Sequence, residues 1–261
     1  MQVKKLKLRS AGMFSNINEV IQHLYLAEKS NYKFIIDWSE SCYRESWRTE
    51  DPWSYYFYPC FPEALFGNIN PESLPILPCG ESIACCKNNI ITPRLYEGKC
   101  SPLLLPKKRT LACKFIDNYI FLKPHISKEI HSFQDQYFGS HVVGLHIRGA
   151  GKTDGGVSEY VDPELFAQGI PFSLYFRRLD KIIRRFDSQV FVCSDSSLVI
   201  DKVKKEYGDR VIVYEATRSP FGEMHANHDQ NAGAEFPRFK LGMDVIVEAY
   251  LLAKTQFLIH G

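Results

Sequence analysis

Residues 141–154 read HVVGLHIRGAGKTD, an apolar run that breaks into a glycine-rich loop. The pattern predicts a buried strand feeding a loop, and ligands in open α/β sheets bind beyond the carboxyl ends of the strands. His146 and Arg148 share one face of the strand end because side chains alternate with a period of two. Arginine binds phosphate with a bidentate fork and glycines let backbone amides approach an anion, so a nucleotide diphosphate site is predicted. In the structural alternative, Arg148 pairs with a carboxylate and His146 is a hydrogen-bonded structural residue.

The composition of the chain excludes several classes of protein. The 261 residues carry a net charge of +2 and are 45% apolar, which suits one large α/β domain or two lobes and does not favour nucleic-acid or membrane-surface binding. No apolar h-region follows the basic start of the chain, and neither a signal peptide nor a membrane span is predicted. The eight cysteines include no C-x-x-C pair, which argues against zinc. Reduced thiols and a cytoplasmic location are expected, with a lumenal or secreted form lacking its targeting segment as the alternative.

Strands alternate with helices through the second half of the chain. Strands are predicted at residues 142–147, 190–193, 211–214 and 256–259, and helices at 172–186, 198–207 and 242–253. This alternation predicts a doubly wound lobe with a parallel sheet. Because a binding loop is expected after the last strand, we expect either a C-terminal lobe that is truncated at Gly261 or a protein that lacks a segment of this architecture.

The first half begins as one half of a Rossmann-like domain and then loses its regular pattern. A turn at residues 10–16 precedes a predicted helix at 17–30 and a strand at 34–38. Residues 39–105 predict a loop-rich insertion, whose aromatic cluster at 53–58 either stacks on a sugar or packs in the core. A further helix is predicted at 115–138, so that the two lobes comprise residues 1–138 and 139–261.

Several predicted strand ends meet in one place. Loops after consecutive parallel strands converge along one edge of a sheet, so His146, Asp195 and Tyr214 are expected to open into the same cleft. Asp244 is predicted near the start of the penultimate element, where it either caps the helix or accepts two hydrogen bonds from the edge of a guanine. Asp195 likewise either caps the helix that follows it or contacts the ligand.

The order of these residues resembles that of the GDP-fucose-dependent fucosyltransferases, nearest to the α1,6-fucosyltransferases of the nodulation and N-glycan-core types. The resemblance rests on HIR at residues 146–148 with Lys152 and Asp154, on CSDS at 193–196, and on GMD at 242–244 with the strand that follows. It covers residues 141–261 and, more weakly, residues 10–38, where GMFSN resembles the N-terminal loop of related fucosyltransferases.

The resemblance implies a GT-B architecture. Two Rossmann-like lobes with parallel sheets would face a cleft, and the donor would lie against the C-terminal lobe without a metal or other cofactor, opposite an acceptor-side N-terminal lobe. At matching positions it implies that Arg148 holds the β-phosphate, that His146 lies near the base or the phosphates, and that Asp244 reads guanine. The further donor-site residues that it implies are Asp195, Ser196, Gly12 and Asn16.

The chain departs from the family pattern at three points. Gly149 stands where the core-type enzymes have a second arginine, the spacing of their catalytic carboxylate is not reproduced, and a serine-bearing loop is expected after Gly261. Asp154 is the best candidate for the general base, with Glu159 second. Lys152 is expected to help Arg148 stabilise the departing diphosphate.

The leading hypothesis is an inverting, metal-independent transfer of fucose from GDP-fucose to a hydroxyl of a glycan acceptor. One alternative is a protein O-fucosyltransferase or a transferase that uses another GDP-sugar. Another is a non-catalytic protein that binds a nucleotide sugar on a degenerate GT-B fold. No nucleic acid, membrane span or metal is expected, and the sequence does not indicate an oligomeric state.

Overall fold

The computed structural model describes residues 2–67, 69–77, 104–149, 166–167, 170–220 and 237–260. The chain divides into two compact units, Met1–Pro124 and His125–Gly261. The larger sheet of each unit is parallel, and helices connect the strands, so the predicted α/β class is confirmed. Within the described ranges, no helix is long and apolar enough to cross a membrane.

The first unit is built on a short parallel sheet. Strand β1 (Gln2–Lys7), which the sequence analysis did not predict, leads through helix α1 (Met13–Ser30) to the parallel strand β2 (Tyr32–Asp37). The helix and the second strand are as predicted, although the helix begins earlier than residue 17. Strand β3 (Ile76–Leu77) pairs with the other edge of β1. The insertion therefore contributes a strand to the sheet of this unit.

The aromatic cluster of the insertion belongs to the core. Helix α2 (Trp53–Tyr56) is followed by two single-turn 3₁₀ helices, Glu63–Leu65 and Pro71–Ser73. The buried aromatic side chains are Trp53, Tyr55, Tyr56 and Phe57. Their rings pack edge to face against neighbours such as Tyr43, whose ring centroid lies 6.4 Å from that of Tyr56. The prediction of core packing is therefore confirmed for these four side chains, and the prediction that they stack on a sugar is wrong.

Two helices replace the single helix predicted at residues 115–138. They are α3 (Leu104–Tyr119) and α4 (Pro124–Tyr137). The break comes before Pro124, because a proline disfavours helical geometry in the residue that precedes it. Helix α4 packs within the second unit, where the Phe133 ring lies 5.3 Å from that of Tyr214 and 6.0 Å from that of Phe191. For this reason the division between the units falls before the predicted boundary at residue 138.

The second unit has a four-stranded parallel sheet. Its elements in chain order are β4 (Val142–His146), the short hairpin of β5 (Phe166–Ala167) with β6 (Ile170–Pro171), α5 (Phe172–Phe186), β7 (Gln189–Cys193), α6 (Ser197–Tyr207), β8 (Val211–Ile212), α7 (Arg238–Ala253) and β9 (Phe257–His260). The strand order in the sheet is β8-β7-β4-β9. Side chains Val143 and Leu145 of β4 join the apolar core with Leu179 of α5 and Val203 of α6. Helix α7 contacts β4 and β7, which agrees with the doubly wound lobe predicted from the sequence.

Two helix ends are marked by residues in the left-handed conformation. Asn31 ends α1 with a φ of 51° and Asp187 ends α5 with a φ of 48°. Asparagine and aspartate tolerate this conformation better than other residues with a Cβ, because their short polar side chains bond locally. These residues therefore let the chain turn at once from helix into the next strand.

Gly144 of β4 faces the end of α7 at very short range. A Cβ at this position would lie 2.7 Å from Thr255 Oγ1 and 3.0 Å from Leu252 Cδ2. We expect Gly144→Ala to destabilise the second unit by about 1–3 kcal/mol, the usual cost of overpacking a core. Chemical denaturation measures this, and a double-mutant cycle with Thr255→Ala is the control. Additive effects in that cycle would contradict the steric explanation.

Candidate functional site

The carboxyl ends of three strands lie side by side in the second unit. In the sheet register, His146 at the end of β4 pairs with Cys193 at the end of β7 and with His260 at the end of β9. This edge is where open parallel sheets bind their ligands. The structure thus brings His146 and the residues after Cys193 together as predicted. His260 joins them, which the sequence analysis did not anticipate.

His146 lies on the α7 side of the sheet. It shares a face with Gly144, two residues earlier, against which Leu252 of α7 packs. Although the His146 side chain is exposed, desolvation by the surrounding protein lowers its pKa. Asp195 acts in the opposite direction, while His260 and Arg148 lower the pKa further. The imidazole is therefore neutral at pH 7 and offers one donor and one acceptor rather than a positive charge.

Asp195 fixes the start of the loop after β4. The pairing of β4 with β7 continues past the strand, since the Ile147 amide donates to the Cys193 carbonyl at 3.1 Å. The Gly149 amide then donates to Asp195 Oδ1 at 2.6 Å. These two bonds hold the backbone on either side of Arg148, which is half-buried. Asp195 thus positions the segment that carries Arg148, and the alternative in which it caps the following helix is wrong.

Ser196 is the residue that caps helix α6. Its hydroxyl accepts the Val199 amide at 3.4 Å and donates to the carbonyl of Pro220. The side chain is buried, and its own amide donates to Ser194 Oγ at 3.1 Å. These contacts hold the start of α6 against the segment after β8. The predicted donor-binding role of Ser196 remains a prediction.

We expect Ser196→Ala to lower the free energy of unfolding by about 1 kcal/mol, because the hydroxyl caps the helix. Thermal or urea unfolding followed by circular dichroism measures the change. Ser197→Ala, one residue into the same helix, is the matched control and should change stability by less than about 0.5 kcal/mol. Equal losses in the two variants would argue against a capping role.

Asp244 lies two turns inside helix α7 rather than at its start. The helix begins at Arg238, four residues before the predicted start, so the capping interpretation of Asp244 is wrong. The buried carboxylate accepts the Thr217 amide at 2.8 Å. Lys240 Nζ donates to both carboxylate oxygens, at 2.8 and 2.9 Å. Asp244 therefore holds the loop after β8 through Thr217 and forms an ion pair with Lys240.

An ion pair between the largely buried side chains of Arg218 and Glu248 joins the same loop to α7. The Arg218 guanidinium donates to Glu248 and to three carbonyl oxygens, of Ser194 at 2.9 Å, Ala216 at 2.9 Å and Tyr214 at 3.0 Å. Burial raises the pKa of Glu248 to about 8, although Arg218 lowers it. The sequence analysis missed this pair. Its one available signal was the spacing of Lys240, Asp244 and Glu248, which places three charged residues along one side of a largely apolar helix.

The N-terminal loop of the first unit is organised by Asn16. Its side-chain amide donates to the carbonyls of Arg9 at 3.1 Å and Ala11 at 2.9 Å, and its oxygen accepts the Arg9 amide at 3.1 Å. Gly12 precedes α1 with a φ of −58°, and a Cβ there would meet nothing within 4 Å. Asn16 thus holds the loop between β1 and α1. The donor-binding roles of Gly12 and Asn16 remain predictions.

Three of the predicted catalytic candidates lie outside the described residues. These are Lys152, Asp154 and Glu159. Among the predicted site residues of the second unit, the described part of the chain places His146, Arg148 and Asp195 at the carboxyl edge of the sheet. Asp244 lies on α7, where its carboxylate bonds the loop that follows β8.

The fold is shared with known fucosyltransferase structures. The chain is similar to NodZ α1,6-fucosyltransferase crystallised with GDP, with a TM-score of 0.53 and 17% identity over 100% of this chain and 88% of that one. The same enzyme soaked with GDP-fucose gives a TM-score of 0.54 and 16% identity over 99% and 88%. NodZ from Bradyrhizobium gives a TM-score of 0.52 and 16% identity over 99% of this chain and 88% of that one. A mutant of Arabidopsis thaliana FUT1 in complex with GDP gives a TM-score of 0.51 and 12% identity over 100% of this chain and 66% of that one.

These similarities show the fold of the chain, and they confirm the fold that the sequence resemblance implies. No family model matches the chain. No curated protein matches it by sequence. The parallel α/β fold is therefore similar to that of the NodZ structures.

Proposed function

We propose that the chain transfers fucose from GDP-fucose to a hydroxyl of a glycan acceptor, with inversion and without a metal. The observation that carries this proposal is the group of His146, Arg148 and Asp195 at the carboxyl edge of a parallel sheet. The fold is similar to that of NodZ structures titled with GDP and GDP-fucose. Charge and hydrogen-bonding groups for a nucleoside diphosphate thus occupy the edge that such sheets use for ligands.

The proposed roles of the donor-site residues follow from their surroundings. Arg148 is half-buried at the strand end and supplies a permanent positive charge and a bidentate fork for the β-phosphate. His146 is neutral at pH 7 and suits a hydrogen bond to the base or the phosphates. Asp244 would accept the N1–H and N2–H of guanine. Asp195 acts on the donor through Arg148, because it holds the backbone of that segment.

The proposed reaction is a single displacement. The acceptor hydroxyl oxygen attacks the anomeric carbon of fucose, the bond from that carbon to the β-phosphate oxygen breaks, and the hydroxyl proton passes to Asp154. General-base catalysis of this kind contributes about 10²- to 10⁴-fold. Negative charge accumulates on the departing diphosphate, and Arg148 with Lys152 would neutralise it, the task that a divalent cation performs elsewhere. The absence of a metal requirement and the cytoplasmic location stay predictions.

Calorimetric titration of GDP, UDP and GDP-fucose, each in the presence of a chelator, tests the donor site. We expect GDP and GDP-fucose to bind and UDP to bind more weakly or not at all. Equal binding of UDP would contradict guanine recognition, and no binding of any of the three would overturn the proposal. Release of GDP in the presence of a panel of glycan acceptors then tests transfer.

The non-catalytic alternative has one specific observation in its favour. Gly149 stands in place of the second arginine of the core-type enzymes, and its backbone amide already donates a hydrogen bond to Asp195. The strand end therefore offers fewer donors to a diphosphate than the family pattern would. Tight binding of GDP-fucose with neither transfer nor hydrolysis would favour this alternative. Release of GDP with other GDP-sugars or with a protein acceptor would instead identify a different transferase.

A further inference from the structure

Lys240 covers the carboxylate that is proposed to read guanine. The side chain of Asp244 is 4% exposed, whereas that of Lys240 is 43% exposed. Lys240 Nζ donates to both oxygens of Asp244, at 2.8 and 2.9 Å. The more exposed Lys240 side chain therefore already occupies both oxygens of the nearly buried carboxylate, and a base that binds Asp244 has to compete with it.

We propose that Lys240 is a displaceable occupant of the guanine subsite, which a base must replace before it can bind. This inference rests on the proposed function, in which Asp244 accepts two donors from guanine. The ammonium in this structure supplies one hydrogen bond to each carboxylate oxygen, the same arrangement that the N1–H and N2–H of guanine would make. A base whose edge lacks two such donors cannot replace the hydrogen bonds that Asp244 loses when Lys240 leaves. Replacement of Lys240 by a base therefore favours guanine.

The carboxylate has room for the exchange. An ionised carboxylate offers about four acceptor sites. The Thr217 amide uses one of them on Oδ2, at 2.8 Å. When Lys240 leaves, each oxygen keeps a site for one base donor, while the bond to Thr217 stays in place. The loop after β8 therefore need not move when the occupant changes.

The position of Lys240 on the helix weakens its contact with Asp244. Lys240 is the third residue of α7, which has no acidic residue in its first turn. A positive charge there is disfavoured by the helix dipole. The order of the pair, with the cation N-terminal to the anion at i,i+4, is also the less favourable one. Among the described residues, the one further partner of Lys240 Nζ is the Glu215 carbonyl, at 3.4 Å.

Two substitutions of Lys240 should change GDP affinity in opposite directions. Lys240→Met removes the competing cation, and we expect GDP to bind roughly three- to tenfold more tightly. Lys240→Arg replaces a point charge with a planar fork that holds a carboxylate in a bidentate manner, so GDP should bind more weakly. Pyrophosphate has no base, and its affinity should be the same in both variants and the wild type.

Calorimetric titration of GDP and of pyrophosphate into the full chain measures these changes. Lys254→Met, at the other end of α7, is the matched control and should alter neither affinity. Tighter GDP binding by Lys240→Met, or weaker binding by Lys240→Arg if the first variant does not fold, supports the proposal. Unchanged or weaker GDP binding by a folded Lys240→Met variant overturns it and leaves the proposed function intact. Failure of both ligands to bind the wild type and every variant overturns the proposed function itself.

Discussion

Replacing Arg148 with alanine is expected to lower fucose transfer by about 10²- to 10³-fold, or about 3–4 kcal/mol of transition-state stabilisation. The guanidinium is the permanent charge at the strand end, and His146 beside it is neutral at pH 7. No comparable charge is then left among the described residues of the loop after β4, residues 147–149. The affinity for GDP should fall roughly ten- to a hundredfold, the range for hydrogen bonds to charged groups. Initial rates of GDP release and calorimetric titration measure the two effects.

Two further variants separate charge from geometry at this position. Arg148→Lys keeps the charge but loses the bidentate fork, so its activity should lie between those of the wild type and Arg148→Ala. Arg184→Ala removes an exposed arginine near the end of α5, close to where β7 begins, which is the opposite edge of the sheet. It should leave affinity and rate unchanged. Wild-type GDP affinity and transfer in Arg148→Ala would remove Arg148 from the donor site.

Above about pH 8, where Glu248 is ionised, replacing Arg218 with methionine is expected to destabilise the second unit by about 3–5 kcal/mol, the usual cost of breaking a buried ion pair from one side. The side chains of Arg218 and Glu248 are only 9% and 15% exposed. The variant leaves Glu248 without its cation and takes one donor from each of three carbonyl groups, of which that of Tyr214 keeps its bond from the Ala216 amide. Chemical denaturation of the wild type and the variant measures the loss.

The cost of Arg218→Met should grow with pH. Burial raises the pKa of Glu248 from 4.5 to about 8, so between these values the native state holds a proton that the unfolded chain lacks, and stability falls as the pH rises. Without Arg218, which lowers this pKa, the decline continues above pH 8. The loss should therefore be larger at about pH 9 than at about pH 6.

Glu248→Gln provides the control for this explanation. The amide cannot ionise, so the additional loss at high pH should disappear when Arg218→Met is combined with it. The combination should also cost less than the sum of the two single changes, because both act on one network. A pH-independent cost that persists in the double variant would mean that the carbonyl contacts of Arg218, and not Glu248, account for the effect.

The arrangement of the second unit could be predicted from the sequence because its signals are local. Runs such as VVGLH and QVFVC are short and apolar, and parallel strands joined by helices place their carboxyl ends at one edge. His146 and Asp195 follow from that rule alone. The break before Pro124 was equally visible, and the prediction of a single helix over residues 115–138 overlooked it.

What the sequence could not show are contacts between distant segments. Whether Asp244 caps a helix, reads a base or holds a loop depends on Thr217, 27 residues away, and on where α7 begins. The role of Arg218 likewise depends on its ion pair with Glu248, which lies on α7. Polar residues bond to whatever partner the fold presents, so their roles emerge only after the helices and strands are in place.

The division into two units makes tryptophan fluorescence specific to one of them. All three tryptophans, Trp38, Trp47 and Trp53, belong to the first unit, and the sequence of the second contains none. Emission excited selectively in indole therefore reports on the first unit alone, whereas the tyrosines are divided between the two units. A melt followed by indole emission, beside one followed by backbone circular dichroism, can thus tell whether a loss of stability lies in the first unit without cutting the chain.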